Sequence, residues 1–477
     1  MNILVYVMDA LRVDHVSSYG YERTTTPRID KLAQNGIRYT RCFSPSTWTK
    51  PVGASLLTGA YPPTHGVRSR EDLFNTDITR LPELLSQEGY STVGVSTMGN
   101  VSASLGYDRG FDEYFDLYKD PDIIERRATS SAANEELDRE GVNRVALPRA
   151  EDINPPLLKW IDENSSDDFF AFCWSIEPHI PYDPPRSHRE FVNPDYDGEV
   201  DGSRESLPDV SNDEDMRQLI GLYDSEIKYN DEQLGLLLDG LRDRDVLDDT
   251  LVVVLGDHGD AFNEHGRLTH GHLAYDELAH VPLVIRPPNG NENSNSDVEE
   301  MTSLVDLCPT ILEATDVENV PKSSQGRPLP PFGPTGSSSP VFSETRSRDI
   351  YPSFYAIRTD EWKYMEVDAP ERSIDTLLET ARQVYQRGLI PEIIRNPLYY
   401  LNRYRHSESR FLYNVRTDPE ESNNLVQTRS EKVAELRESL YEWLNQSEQL
   451  YESLGNSGRT DIDAETAEQL RQLGYVD

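Results

Sequence analysis

Three stretches of the chain gather the side chains able to do chemistry. The first is Thr49-Lys50-Pro51-Val52-Gly53-Ala54-Ser55-Leu56-Leu57-Thr58-Gly59. From Pro51 it predicts a short helix, because proline suits the first helical turn. Gly59 then stops it, and Pro62-Pro63 keep it from resuming. Thr49 therefore falls at or just before the helix N-terminus, where unpaired N–H groups and the helix dipole favour an anion. A nearby cation would help a hydroxyl there to ionise. The plainer role is that Thr49 only caps the helix. The second stretch is the apolar run 2–8 ending in Asp9, and the third is the apolar run 250–256 ending in Asp257-His258-Gly259-Asp260. Both runs predict buried parallel strands, and the C-terminal edge of such a sheet is where open α/β folds bind ligands. Asp257 and His258 can hold one ion only if the chain turns, which Gly256 and Gly259 permit. Otherwise the tetrad is an acidic turn.

Histidines point the same way. Six of the ten are His258, His265, His270, His272 and His280, together with His179 in Pro178-His179-Ile180-Pro181-Tyr182. A lone histidine is usually structural, but His179 follows the buried-strand run 169–174, at another expected sheet edge.

The elements that position these groups alternate as an α/β protein does. Helices are predicted over 29–36, 81–89 and 222–241, and a strand over 91–96. Residues 119–150 read as a polar insertion or mobile loop, and 186–215 as an acidic flap beside His179. A linker is expected at 287–295, and the Pro, Gly and Ser of 318–340 mark a domain boundary. Beyond it come a strand pair within 355–365 and an amphipathic helix over 429–450, with its stripe Val433, Leu436, Leu440, Trp443 and Leu444.

In the 477-residue chain acidic residues outnumber basic ones 85 to 46, for a formal charge of −39, and only eight of the 46 are lysine. Such a surface repels nucleic acid and anionic membranes. With this many apolar strands it reads as a folded protein adapted to high salt, where screening tames the self-repulsion. Cys42, Cys173 and Cys308 imply no disulfide framework. No basic leader and no run of roughly 20 apolar residues is present, so the expectation is a soluble, cytoplasmic protein.

The segment from Thr49 to Gly59, with Tyr61-Pro62 and His65-Gly66 after it, resembles the nucleophile segment of the sulfatase family, within the alkaline phosphatase superfamily. The family signature is Cys or Ser, any residue, Pro, any residue, Arg, then a small-and-Leu helix ending Thr-Gly. Thr49 here takes the place of Cys or Ser, and Gly53 that of Arg. Cys42 is no substitute, since no proline stands two residues after it. Asp9-Ala10-Leu11-Arg12-Val13-Asp14-His15 resembles the family N-terminus, with Ala10 where many relatives have a second Asp. Asp14 and His15 are expected to brace the loop. The segment 258–280 resembles the second metal-binding segment of relatives that carry Asp-His. After the strand 91–96 the usual Lys and His are replaced by Thr97-Met98-Gly99-Asn100. Family-like segments recur at 411–425 and 470–475.

The resemblance implies a large domain (1–337) built on a mostly parallel central sheet flanked by helices, and a smaller C-terminal α+β subdomain (338–477). It implies one divalent cation on Asp9, Asp257 and His258. The histidine ligand leans toward Mn²⁺, Mg²⁺ or Zn²⁺, whereas Ca²⁺ is the usual sulfatase ion. The implied reaction cleaves or transfers a sulfate or phosphate ester, of a small molecule or a glycan, through a covalent Thr49 intermediate. His179 and either His270 or His272 would contact the ester or protonate the leaving group, and Asn100 would donate to an ester oxygen. Threonine cannot become the formylglycine of sulfatases, so phosphoester chemistry is favoured over a sulfuric ester hydrolase proper. The reading from another class is a catalytically degenerate binding protein, against which the retention of Thr49 and both aspartates weighs.

Overall fold

The computed structural model describes residues 1–70, 72–74, 78–132, 147–164, 167–289, 296–336, 339–346, 353–368 and 409–454. Its centre is strand β1 (Asn2–Met8), a run of seven buried residues. β1 lies between β5 (Phe169–Ser175) and β6 (Thr250–Gly256), parallel to both. Beyond β5 the sheet continues in parallel through β3 (Ser91–Ser96) to β4 (Glu113–Asp116). Beyond β6 it passes through β9 (His280–Arg286), the antiparallel member, to β2 (Ile37–Phe43) and the short β10 (Ser296–Val298) and β11 (Thr302–Ser303).

Successive residues of a strand face opposite ways, and β1 shows what that does here. Ile3, Val5 and Val7 pack on one face with Trp48, Val52 and Leu56, in and just before the helix that begins at Thr49. Leu4, Tyr6 and Met8 pack on the other with Leu219, Ile227 and Leu234, from the long helix Asp213–Arg242. Both faces are covered, which is why these strands are apolar throughout rather than alternating.

The second unit is an antiparallel sheet, β12 (Val341–Thr345), β13 (Ser353–Arg358), β14 (Trp362–Asp368) and β15 (Arg410–Asn414). The helix Ser430–Ser453 lays Val433, Leu436, Leu440, Trp443 and Leu444 against it and against Tyr61 and Val305 of the large unit. β12 begins just past the expected boundary at 337/338, which falls on residues outside those described, as do 290–295 of the expected linker and the family-like ending at 470–475.

Three expectations change. Residues 121–132, expected in a loop, form a helix. The Asp120 side chain accepts from the N–H groups of Asp122 and Ile123, Ile123 enters the core, and Arg126 and Arg127 pair with buried Asp152. Among the side chains described, those of 121–127, Ile123 is the one in the core and the ion pairs with Asp152 hold the rest, so periodicity did not show the helix; 133–146 lie outside the described residues. The helix expected over 222–241 begins earlier, at Asp213, because Asn212 accepts from the N–H groups of Glu214 and Asp215. The helix expected from Pro51 also starts earlier, at Thr49. No helix among the described residues is long and apolar enough to cross a membrane.

Candidate active site

The register of the central strands puts the first two ligand candidates together. Met8 pairs with Gly256, so Asp9 and Asp257 leave neighbouring strands side by side, both fully buried. The chain does turn after Gly256, though not through a left-handed glycine. A side chain on Gly256 would meet the Leu11 carbonyl at 2.5 Å, and one on Gly259 the Glu277 carbonyl at 2.0 Å. These glycines allow close approach of backbone. The left-handed residue is Ala10 (φ 61°), an uncommon conformation for a residue with a Cβ. It aims the Ala10 N–H at Asp257 Oδ1, 2.8 Å away. Asp14 pairs with Arg12 and His15 Nδ1 lies 2.6 Å from Asp224, bracing this loop as expected.

Asp257 Oδ1 also accepts from the His258 N–H at 2.8 Å, whereas Oδ2 accepts no hydrogen bond. His258 Nδ1 lies 2.9 Å from the Gly259 carbonyl, a contact that fixes the proton on Nδ1 and leaves the Nε2 lone pair inward. That Nε2 is 3.3 Å from Asp257 Oδ2 and 3.6 Å from Asp9 Oδ1. Burial, then the charge of Asp257, holds Asp9 well above its ordinary value, and burial pushes Asp257 up to about 8. Two carboxylates this dry and this close do not both ionise without a cation between them. An orphaned carboxylate oxygen, a second carboxylate and an inward imidazole lone pair form a donor set that fits one divalent ion.

Thr49 is the first residue of α2 (Thr49–Thr58), which ends at Gly59 in the left-handed conformation (φ 67°). The helix is entered through extended Trp48, which makes no capping bond. Thr49 Oγ1 lies 3.3 and 3.2 Å from the two Asp9 oxygens and 3.4 Å from His258 Nε2. The hydroxyl faces the ligand set rather than its own helix.

The space where the family motif carries arginine is already filled. A Cβ on Gly53 would lie 3.0 Å from Tyr107 Cε1, 3.2 Å from Val101 Cγ2 and 3.5 Å from Trp174 Cζ3. Trp174, at the end of β5, donates from Nε1 to Asp9 Oδ2 at 2.9 Å. An aromatic cluster thus occupies the volume, and an indole N–H orients the carboxylate.

On the other side of the pocket stand His179 and His270. The His270 ring centroid is 4.5 Å from that of His258 and 4.9 Å from that of His179. His270 Nδ1 lies 2.5 Å from Asp260 Oδ1, and Asp260 Oδ2 accepts from the Tyr182 hydroxyl at 2.6 Å. Burial, then the neighbouring charge of His270, holds His179 well below its ordinary value. Between the two histidines left open by the sequence, the structure brings His270 to this group. His272 Nε2 is 3.1 Å from the Thr269 carbonyl, and its own carbonyl accepts from Thr47 Oγ1 at 2.7 Å, bracing the approach to Thr49 through the backbone. Asn100 is buried, and its amide Nδ2 has no partner. The adjoining Val101 packs at Gly53, in the middle of α2.

Sequence reasoning missed four contributors. Asp260 and Tyr182 stood inside motifs already singled out, but only their contact reveals a role. Trp174 looked like the last apolar residue of a strand. Arg204 lies in the expected flap, whose Gly202 carbonyl accepts from the Tyr182 N–H at 3.0 Å, and its charge acts on both His179 and Asp260. Nothing in the acidic run around it singles it out.

A family model described as Sulfatase matches residues 1–317. An N-acetylglucosamine-6-O-sulfatase of Bacteroides thetaiotaomicron is 24% identical over 82% of this chain and 85% of its own. A choline-sulfatase of Rhizobium meliloti is 24% identical over 76% and 78%. Among solved structures, the phosphonate monoester hydrolase of Agrobacterium radiobacter superposes with a TM-score of 0.69 at 20% identity, covering 94% of this chain and 96% of that one.

Proposed function

From the premise that the chain belongs to the sulfatase family, ester hydrolases of the alkaline phosphatase superfamily, we propose that it cleaves phosphoesters through a covalent intermediate on Thr49. The observation that carries this reading is the Thr49 hydroxyl, within 3.4 Å of both Asp9 and His258 at a helix N-terminus.

A divalent ion bound by Asp9, Asp257 and His258 would lower the pKa of the Thr49 hydroxyl and offset charge on the ester oxygens. Thr49 releases its hydroxyl proton to bulk water and its Oγ attacks phosphorus, forming a new P–O bond as the bond to the leaving alcohol breaks. The N–H groups that open α2 face the ester oxygens, together with the Asn100 amide. Arg204 supplies positive charge in a pocket that lacks the family's Arg and Lys. His270, held by Asp260, gives its proton to the leaving oxygen, and the resting neutral His179 positions the ester. Water then releases phosphate and restores Thr49; an alcohol in its place makes the reaction a transfer.

Phosphorus is favoured because threonine cannot be matured to an aldehyde and must attack directly. The names of the curated relatives favour a second reading, hydrolysis of a sulfate ester of a glycan or small molecule. A panel of phosphate monoesters, phosphate diesters, phosphonate monoesters and sulfate monoesters, run with Mn²⁺, Mg²⁺, Zn²⁺ and Ca²⁺, separates them. Thr49→Ala is expected to lower turnover by at least roughly a hundredfold, the scale of losing a main catalytic group, while Thr49→Ser retains measurable phosphoesterase activity. If Thr49→Ala costs only about 1 kcal/mol of stability, as a lost cap would, and turnover persists, the covalent reading fails and a binding protein on this fold takes its place.

A further inference from the structure

A second set of metal-ligating side chains lies outside the site described above. His265 stands in the turn between β7 (Ala261–Phe262) and β8 (Leu268–Thr269), Glu277 in the short helix Asp276–Ala279, and Glu421 in the loop after β15. A donor atom from each lies within 4.8 Å of the other two. His265 Nε2 is 3.7 Å from Glu277 Oε2, too long for a hydrogen bond. It suits two ligands of one ion, each about 2.1 Å from it.

Charge around the cluster does not balance. Asp276 is matched by Arg358 and Lys363, at 2.6 and 2.7 Å. The same Lys363 ammonium serves Glu421, 2.7 Å from Oε1. Three carboxylates thus share two cations, and Glu277 is left over. Its side chain is 7% exposed, and its Oε1 accepts no hydrogen bond. A buried carboxylate in that position is costly unless something positive reaches it. His265 is fixed by stacking on Tyr275, with centroids 3.6 Å apart and planes 10° apart.

We propose that His265, Glu277 and Glu421 bind a second divalent cation, distinct from the one at Asp9, Asp257 and His258. One imidazole with two carboxylates suits Zn²⁺ or Mn²⁺. Such an ion would staple the C-terminal unit, through Glu421, to the hairpin that leads into His270, so its role is structural.

Metal content of the full chain, stripped with a chelator and dialysed against Zn²⁺ or Mn²⁺ alone, tests this. Two ions per chain are expected. Asp257→Asn should keep one, and Glu277→Gln should keep one. The double variant should keep none. In the Asp257→Asn background, adding Zn²⁺ should raise the melting temperature by several degrees, and adding Glu277→Gln should remove that rise. An Asp257→Asn chain holding no ion overturns the second site, and that measurement stands even if Glu277→Gln fails to fold. A Glu277→Gln chain with as many ions as the parent overturns it too. If the first site is the one that fails, the parent and Asp257→Asn each bind a single ion and Glu277→Gln binds none.

Discussion

The two halves of the active site are built by different means. The half around Asp9, Asp257, His258 and Thr49 rests on strand ends and a helix start. Its positions follow from the β1–β6 register and from backbone donors at Ala10 and His258. The half around His179, His270 and Arg204 rests on loops, joined by the chain of contacts Tyr182–Asp260–His270. Both halves depart from the family motif. In the first, the packed core around Ala10 and Gly53 orients the two aspartates, through the Ala10 N–H on Asp257 and the Trp174 indole on Asp9. In the second, the charge of Arg204 acts on His179 and Asp260 from the flap. A strand end fixes a charge through the backbone, whereas a loop fixes it only through side-chain contacts.

That contrast predicts unequal responses to substitution. Asp257→Asn keeps the shape and removes the ligating charge, so it should abolish ion binding at this site and turnover with it. Metal analysis and activity measured on the same folded sample check this; a variant that keeps this ion and full activity breaks the comparison at its stronger end. Asp260→Asn acts one contact further out. Loss of an orienting partner typically costs about 10–100-fold, and that range is expected here in kcat. Removing the carboxylate also makes the His270 imidazolium less favourable, so the basic limb of the kcat–pH profile should move to lower pH. An unchanged profile with lower activity would reduce Asp260 to a packing role.

The same contrast governs what the sequence could reveal. Asp9 and Asp257 were legible because each directly follows a seven-residue buried strand, His258 because it adjoins Asp257, and Thr49 because a proline and a glycine frame its helix. The amphipathic helix Ser430–Ser453 was legible from its stripe. Arg204 was not, since a flap has no periodicity and the reach of its charge to His179 is set by tertiary packing. Nor was Trp174, because a core tryptophan and an orienting one look alike until Nε1 is seen to face Asp9. The helix Pro121–Ala132 was missed because ion pairs with Asp152, rather than an apolar face, hold it. His270 and His272 were equally good candidates; which one enters depends on the turns at their N-terminal neighbours, Thr269 (φ 66°) and Gly271 (φ 83°), both left-handed.

Metal removal gives a smaller, pH-dependent effect. In the stripped protein Asp257 titrates near about 8 rather than at its ordinary 3.8. The folded chain then binds more protons than the unfolded one between those values, so stability falls as pH rises from about 4 to about 8. Asp231, raised to about 7 by burial, and Asp306, raised to about 6, act in the same direction. Melting temperatures of the stripped protein should therefore decline across this window. Adding back the divalent ion should flatten the curve most at its alkaline end, where the carboxylate is ionised and ligates. A decline that the ion does not reduce would place it somewhere other than on Asp257.

The smallest effect sharpens the comparison most. Gly53 stands where relatives carry arginine, and the cause can be tested as lack of room. Gly53→Ala puts a methyl 3.0 Å from Tyr107 Cε1 and 3.2 Å from Val101 Cγ2, tighter than a relaxed contact, against a ring fixed by its hydrogen bond to the Lys50 carbonyl. Overpacking of this kind costs about 1–3 kcal/mol, read as a lower denaturation midpoint at constant m-value. Tyr107→Ala made together with Gly53→Ala opens the space, so the double variant should lose less than the two single costs added. Trp174 lies at the edge of the same volume, 3.5 Å from the added methyl, so the strained single variant should also disturb its bond to Asp9 and weaken the ion modestly. If Gly53→Ala is neutral and the pair is simply additive, the site had room for a side chain, and the loss of arginine needs a chemical explanation rather than a steric one.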